Sequence, residues 1–179
     1  MNLRLISGRL GGRTIQAPDG KITHPMSERV RGSMFNIIGD EIKGANVLDV
    51  FAGTGSLGLE SISRGAVSAT FVERDRVASK ILVENIKSLG VVECTTAVQI
   101  GLGTWIDKNQ DKSYDVIFVD PPYNNLQLST VSRLADLLKS NGLMILSYPG
   151  RGEVPSIMGV VVVDNRSYGT AALTFYRKK

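Results

Sequence analysis

The residues with most chemistry to offer stand together in Asp120-Pro121-Pro122-Tyr123, directly after the apolar run Val116-Ile117-Phe118-Val119. A buried strand ordinarily ends in residues that turn easily, whereas this one ends in an acid, two rigid rings and an aromatic. Each proline fixes its own φ and carries no N–H. The residue before a proline is driven into an extended conformation. The segment is therefore stiff and offers acceptors only: the Asp120 carboxylate and nearby backbone carbonyls, including that of Pro121, beside the flat face of Tyr123. Such a clamp fits a planar base carrying an exocyclic NH₂. The base would stack on Tyr123, a contact of about 1–3 kcal/mol. The alternative for the same four residues is a stiff turn with a helix-capping aspartate.

A second constellation, Gly53-Thr54-Gly55-Ser56-Leu57-Gly58, follows the run Val47-Leu48-Asp49-Val50-Phe51, and Glu73 closes the next apolar stretch. This glycine spacing between a strand and a helix lets an adenosine ligand lie over the strand ends, with the acid on its ribose hydroxyls. Gly53 and Gly55 permit the backbone approach a side chain would block. Taken alone, the pattern also fits a dinucleotide site, or no ligand. Asp49 argues against a pyrophosphate but could hold a cation, and the chain has no second domain to present a nicotinamide. S-adenosylmethionine (SAM), with its ammonium and sulfonium, suits the turn better. The alternative for Asp49 is that it only caps backbone amides.

The two motifs make one reaction. An exocyclic amine is a poor nucleophile because its lone pair is delocalised into the ring. Acceptors on both amine hydrogens favour pyramidalisation, which restores the lone pair as it attacks a methyl sulfonium. Interactions that strengthen in the transition state are those that accelerate chemistry. The methylated amine is strongly acidic and sheds its proton to Asp120 or water, so neither a further base nor a metal is required. A base in a stacked or paired region must first be extruded.

The elements that must position these residues can be read from periodicity. Residues 3–17 read as two short strands around a glycine-containing turn. Ser27 is a plausible N-cap of a helix that turns Val30, Met34, Ile37 and Ile38 inward and ends near Gly39. Strands at 47–51, 67–73, 95–99, 115–120 and 143–148 alternate with helices at 57–64, 76–89 and about 128–139. Strands at 160–163 and 171–176 follow with no room for a helix between them. This predicts an α/β fold: a Rossmann-like, doubly wound, mostly parallel seven-stranded sheet with an antiparallel C-terminal strand pair. A small N-terminal hairpin and helix, residues 1–39, precede the main domain, residues 40–179.

Composition narrows the classes. The 179 residues suit one well-filled core. No apolar run is long enough to span a bilayer, the opening lacks the pattern of a signal peptide, and the lone Cys94 allows no intrachain disulfide. A cytoplasmic protein is expected, with Cys94 a packing residue. The net charge of +4 resides in the first 31 residues, where Arg4, Arg9, Arg13, Lys21, Arg29 and Arg31 oppose only Asp19 and Glu28. A basic arm on a neutral body is the footprint of a phosphate-backbone partner, or else a solvated charged extension.

The motif order resembles class I SAM-dependent methyltransferases that act on exocyclic amines. The fuller pattern is similar to the RsmD family, bacterial enzymes that modify a guanine N2 in small-subunit (16S) ribosomal RNA. The resemblance runs through LRLISGRLGGRTIQAP, ERVRGSMFNII, VLDVFAGTGSLGLESISRGA, FVERD, YDVIFVDPPYN and YGTAALTFY. It implies that Gly53, Thr54 and Gly55 wrap the methionine part of SAM, within a cofactor set of Asp49, Phe51, Ser56, Glu73 and Arg74. It further implies an amine clamp of Asp120, Pro121, Pro122 and Tyr123, and rRNA contact or site closure by Arg9, Arg13, Arg29 and Arg31. The implied partner is 16S rRNA within a small-subunit assembly particle, approached by a monomer. Three stretches depart from the family pattern. His24-Pro25-Met26 replaces Arg-Pro-Thr, with His24 read as a surface or hinge residue. Gln99-Ile100-Gly101 lacks the usual acid near the adenine. Ser147 or Tyr148 stands where a glutamate is usual. A DNA adenine-N6 or other amino-methyltransferase shares the Asp-Pro-Pro-Tyr signature, and a SAM- or RNA-binding module without catalysis is the rival from another class.

Overall fold

Strand order fixes where a ligand can lie. In the computed structural model, which describes residues 1–19 and 25–179, the main sheet has seven strands in the order β5-β4-β3-β6-β7-β9-β8. They are β3 (Asn46–Val50), β4 (Ser68–Glu73), β5 (Thr95–Gln99), β6 (Tyr114–Val119), β7 (Leu138–Pro149), β8 (Val160–Tyr168) and β9 (Ala171–Lys178). From β5 to β7 all neighbours are parallel, and β9 then pairs antiparallel with both β7 and β8. The doubly wound sheet and its antiparallel end are as the sequence predicts. β3 sends the chain outward to β4 and β5, and β6 sends it the other way to β7, so the winding reverses between β3 and β6.

The strands read as continuous apolar runs because both faces are covered. Val47, Phe71, Val116, Phe118 and Ile145 face one core, shared with helices α1 (Glu28–Ile38), α2 (Ser56–Ser63) and α3 (Arg76–Ser88). Leu48, Val50, Ile117, Val119 and Met144 face the other, under α4 (Leu102–Lys108) and α5 (Leu128–Ser132). Ser27 caps α1 as expected, its side chain accepting from Val30 N. That helix buries Phe35 rather than Val30 and Ile37, which are only partly covered.

The N-terminal strands β1 (Asn2–Arg4) and β2 (Thr14–Gln16) pair antiparallel and lie against α1, α2 and α3. Leu5, Leu10 and Ile15 belong to the same core as Met34, Phe35, Leu59 and Phe71. The fully buried Glu60 of α2 accepts from Ile6 N at 2.9 Å and Ser7 N at 3.1 Å. A Cβ at Gly8 would lie 1.9 Å from the Ser63 carbonyl oxygen, so only glycine lets the hairpin loop close on α2 there. Asn85 of α3 takes both backbone groups of Gln16 and also donates to the Thr54 carbonyl at 3.1 Å.

Several boundaries differ from expectation, among them the start of β7 at Leu138 where a strand was expected from 143. α4 was not legible, since Leu102, Trp105 and Ile106 are its only apolar contacts within a seven-residue helix. The helix expected over 128–139 ends at Ser132 and tightens into a 3₁₀ turn, Arg133–Leu137, whose Leu134 and Leu137 share one face at three-residue spacing. β8 runs on to Tyr168 because Asn165 to Tyr168 pair with β9 up to a tight turn. Asp164 remains in strand beyond an irregularity in register.

Candidate active site

The two sequence motifs meet. Val50 pairs with Val119 and with Val72, so the β3, β4 and β6 ends lie side by side. Neighbouring strands are about 4.8 Å apart. The glycine turn, Glu73 and the Asp120 segment therefore share one rim at the carboxyl edge of the sheet, where open α/β sheets bind ligands.

Within the glycine turn, Phe51 and Gly53 adopt positive φ of 54° and 57°, the only non-glycine strain being at Phe51. Phe51, Gly53 and Ser56 are half-exposed, while Thr54 and Gly55 are buried. A Cβ on Gly53 would meet nothing within 4 Å, which leaves room for a ligand over that amide. A Cβ on Gly55 would lie 2.4 Å from Leu82, so that glycine serves packing of the helix on the core. Glu73 accepts from Gly53 N and from Asp75 N, both at 2.7 Å, tying the turn to the end of β4. Each of its oxygens keeps a second lone pair for a ribose hydroxyl. Arg74 is exposed beside Gly101, and Gln99 is exposed in register with Glu73 where the usual acid is missing.

Of the two readings of Asp49, cation ligand or amide cap, the hydrogen bond it makes is that of the cap. It is 1% exposed and its Oδ2 accepts from Gly58 N at 2.9 Å, which holds the start of α2. Burial pushes its carboxyl well above the usual range, opposed by the Gly58 amide and reinforced by the nearby Asp120 and Glu73 carboxylates.

At the second motif, Pro121 is buried and Tyr123 is 40% exposed, an open aromatic face. The Pro122 carbonyl is taken by Asn125 N at 3.0 Å, whereas no backbone amide among the described residues occupies that of Pro121. Burial raises the Asp120 carboxyl to about 6, against the effect of a hydrogen bond from Ser147. The Ser147 and Tyr123 hydroxyls lie 2.7 Å apart. Ser147 is thus a member of the site. In the sequence it is marked by its place at the end of an apolar strand and by standing, with Tyr148, where the family usually carries a glutamate.

The four arginines are not brought together. Arg9 N donates to the Ser63 carbonyl, and the Arg13 side chain to that of Ser88. These are the C-terminal ends of α2 and α3, at the amino edge of the sheet, so neither arginine can close a site at the opposite edge. Arg31 is 1% exposed; it donates to the Arg4 carbonyl and leaves Nε and Nη1 without a partner. It is an interior residue, not a surface phosphate contact. Arg29 alone is exposed near the rim, in the first turn of α1. The reading of His24 lies outside the described residues. Among those residues no cluster of metal-binding side chains occurs, and no helix is long and apolar enough to cross a membrane.

Comparison with known proteins agrees with this geometry. The family model described as Conserved hypothetical protein 95 matches residues 3–177. The chain is 32% identical to YlbH of Bacillus subtilis, whose name assigns it provisionally as an rRNA methyltransferase, over 99% of this chain and 100% of that one. It is 34% identical to Ribosomal RNA small subunit methyltransferase D of Escherichia coli, over 78% of this chain and 68% of the relative. The solved structure of Escherichia coli yhhF, provisionally a methyltransferase, superposes with a TM-score of 0.89 at 30% identity, covering 100% of this chain and 99% of that one. Structures sharing only the fold, at 15% and 13% identity, include methyltransferases complexed with S-adenosyl-L-homocysteine. The family match along nearly the whole chain, and the glycine turn and the Asp-Pro-Pro-Tyr segment on one rim of a class I methyltransferase sheet, lead to one conclusion: this chain belongs to the RsmD-type methyltransferase family.

Proposed function

We propose that the protein transfers a methyl group from SAM to the exocyclic N2 amine of a guanine in 16S ribosomal RNA. The observation that carries the reading is the adjacency of the glycine turn with Glu73 and the Asp120–Tyr123 clamp across the β3–β6 switch point. When bound, SAM supplies an electrophilic methyl. The Gly53 amide region and half-exposed Ser56 would receive its methionine part, Glu73 its ribose, and Phe51, Arg74 and Gln99 the surrounding wall. The Asp120 carboxylate and the Pro121 carbonyl accept the two amine hydrogens. Tyr123, held at its hydroxyl by Ser147, stacks on the base. Their acceptance strengthens as the nitrogen becomes tetrahedral, which is where it speeds the transfer. One amine proton then passes to Asp120 or to water.

Arg29 is the rim residue of the 1–39 extension that supports an RNA partner. The natural substrate on this reading is a small-subunit assembly particle, met by a monomer in the cytoplasm. Labelled SAM offered to small-subunit particles lacking methylation tests it. Label recovered as N2-methylguanine in 16S rRNA is the expected result. Label found only in DNA or protein, or SAM binding without any transfer, would defeat it.

A further inference from the structure

α1 crosses the sheet from the carboxyl rim to the opposite edge. At its middle the Ser33 hydroxyl meets that of Tyr168 at 2.5 Å, and beyond its end Glu41 pairs with Arg177. Two cavities line its outer side. One of about 330 Å³ lies between Ser27 and Arg29 on α1 and Ser167, Tyr168 and Gly169 at the β8–β9 turn. The other, about 760 Å³, continues past Gly32, Ser33 and Asn36 to Arg166. Arg29 lines both, so the two adjoin along the outer side of α1 and are taken together as a groove. Its upper end adjoins the site rim: Gly150, just past the strand that carries Ser147, donates to the Thr170 carbonyl at 2.9 Å.

The groove is basic and rich in neutral hydrogen-bonding groups. Arg29 and Arg166 line it with a single carboxylate, Glu28, which Arg4 engages from outside at 2.6 Å, while Arg166 also pairs with Asp164 at 3.1 Å. Ser33, Asn36 and Ser167 add hydroxyl and amide groups. Guanidinium, hydroxyl and amide groups together are the usual contacts to phosphate and sugar. The length of α1, roughly 16 Å at about 1.5 Å per residue, accommodates a few nucleotides. We infer that this groove carries the RNA backbone flanking the target guanine, along α1 and β8 and not over the hairpin loop at the far edge. The inference rests on the RNA substrate proposed above and adds the track and Arg166, Asn36 and Tyr168 to it.

The test measures binding of deproteinised small-subunit ribosomal RNA across a salt series, with SAM affinity and thermal melting alongside. Arg29→Glu and Arg166→Glu should each weaken RNA binding about tenfold near 0.1 M salt and reduce the log–log salt slope by about one, with SAM affinity unchanged. Asn36→Asp, which breaks no ion pair seen here, should weaken RNA binding in the same direction without a change in melting temperature. It decides the matter if Arg166→Glu proves unstable. Groove variants that bind RNA like the parent, or an Arg13→Glu variant that alone loses binding, would overturn the groove while leaving the substrate reading intact. A parent protein that transfers no methyl to RNA would overturn the substrate reading itself.

Discussion

At the residue scale, the proposed clamp depends on the ionisation of one acid. Desolvation of the half-buried Asp120 carboxyl pushes it up to about 6. As a raised carboxyl it is neutral below that value, when one oxygen carries a proton and no longer serves as an acceptor. The pH profile of kcat/KM should therefore show an acidic limb with a midpoint near 6 and fall about tenfold for each unit below it. A profile flat from pH 5 to 8 would remove Asp120 from the reaction. Ser147→Ala takes away the hydrogen bond that favours the ionised form and frees the Tyr123 hydroxyl. The limb should therefore move to higher pH, and KM for RNA should rise. Ser147→Thr, which keeps the hydroxyl, should restore the limb; a purely structural role would show no such rescue.

At the element scale, the glycine turn is held from below and from the side. Glu73 fixes the Gly53 amide, Asp49 fixes the Gly58 amide, and Asn85 links the Thr54 carbonyl to β2. Asn85 is buried, so its loss strands the groups it served. Asn85→Ala should destabilise the protein by about 2 kcal/mol, or roughly 4–8 °C of melting temperature. It should also weaken SAM binding, measured by calorimetry, because the turn loses one anchor. Retained affinity with a lowered melting temperature would confine Asn85 to a structural role. This coupling between the N-terminal hairpin and the cofactor turn has no signal in the spacing of residues that lie 31 and 69 apart along the chain.

At the scale of the whole molecule, the extension read as residues 1–39 shares its core with the rest. Leu5, Leu10 and Ile15 are buried, and the Glu60 carboxylate depends on the Ile6 and Ser7 amides as well as on Arg64 at 2.8 Å. Deleting residues 1–19 would expose that apolar surface and leave a buried carboxylate short of donors, which is costly. Melting should drop by more than about 10 °C or lose its cooperativity. A truncated chain that melts at the parent's temperature would mark the hairpin as an independent appendage. Charge distributes differently from its order in sequence. The basic residues concentrated near the start of the chain scatter to an amino-edge loop, an interior site and the carboxyl rim.

By itself the sequence determined the strand runs, the glycine turn and the proline-stiffened acid, and so the sheet order's broad form and the shared rim. These are short-range properties: backbone freedom at glycine, its loss at proline, and apolar periodicity act within a few residues and survive in any context. The tertiary structure alone decided that Arg31 is buried, that Arg9 and Arg13 lie at the edge away from the clamp, and that Ser147 completes it. Charge along a chain carries neither depth nor direction. A hydroxyl meets a tyrosine 24 residues away only once neighbouring strands have been set in register.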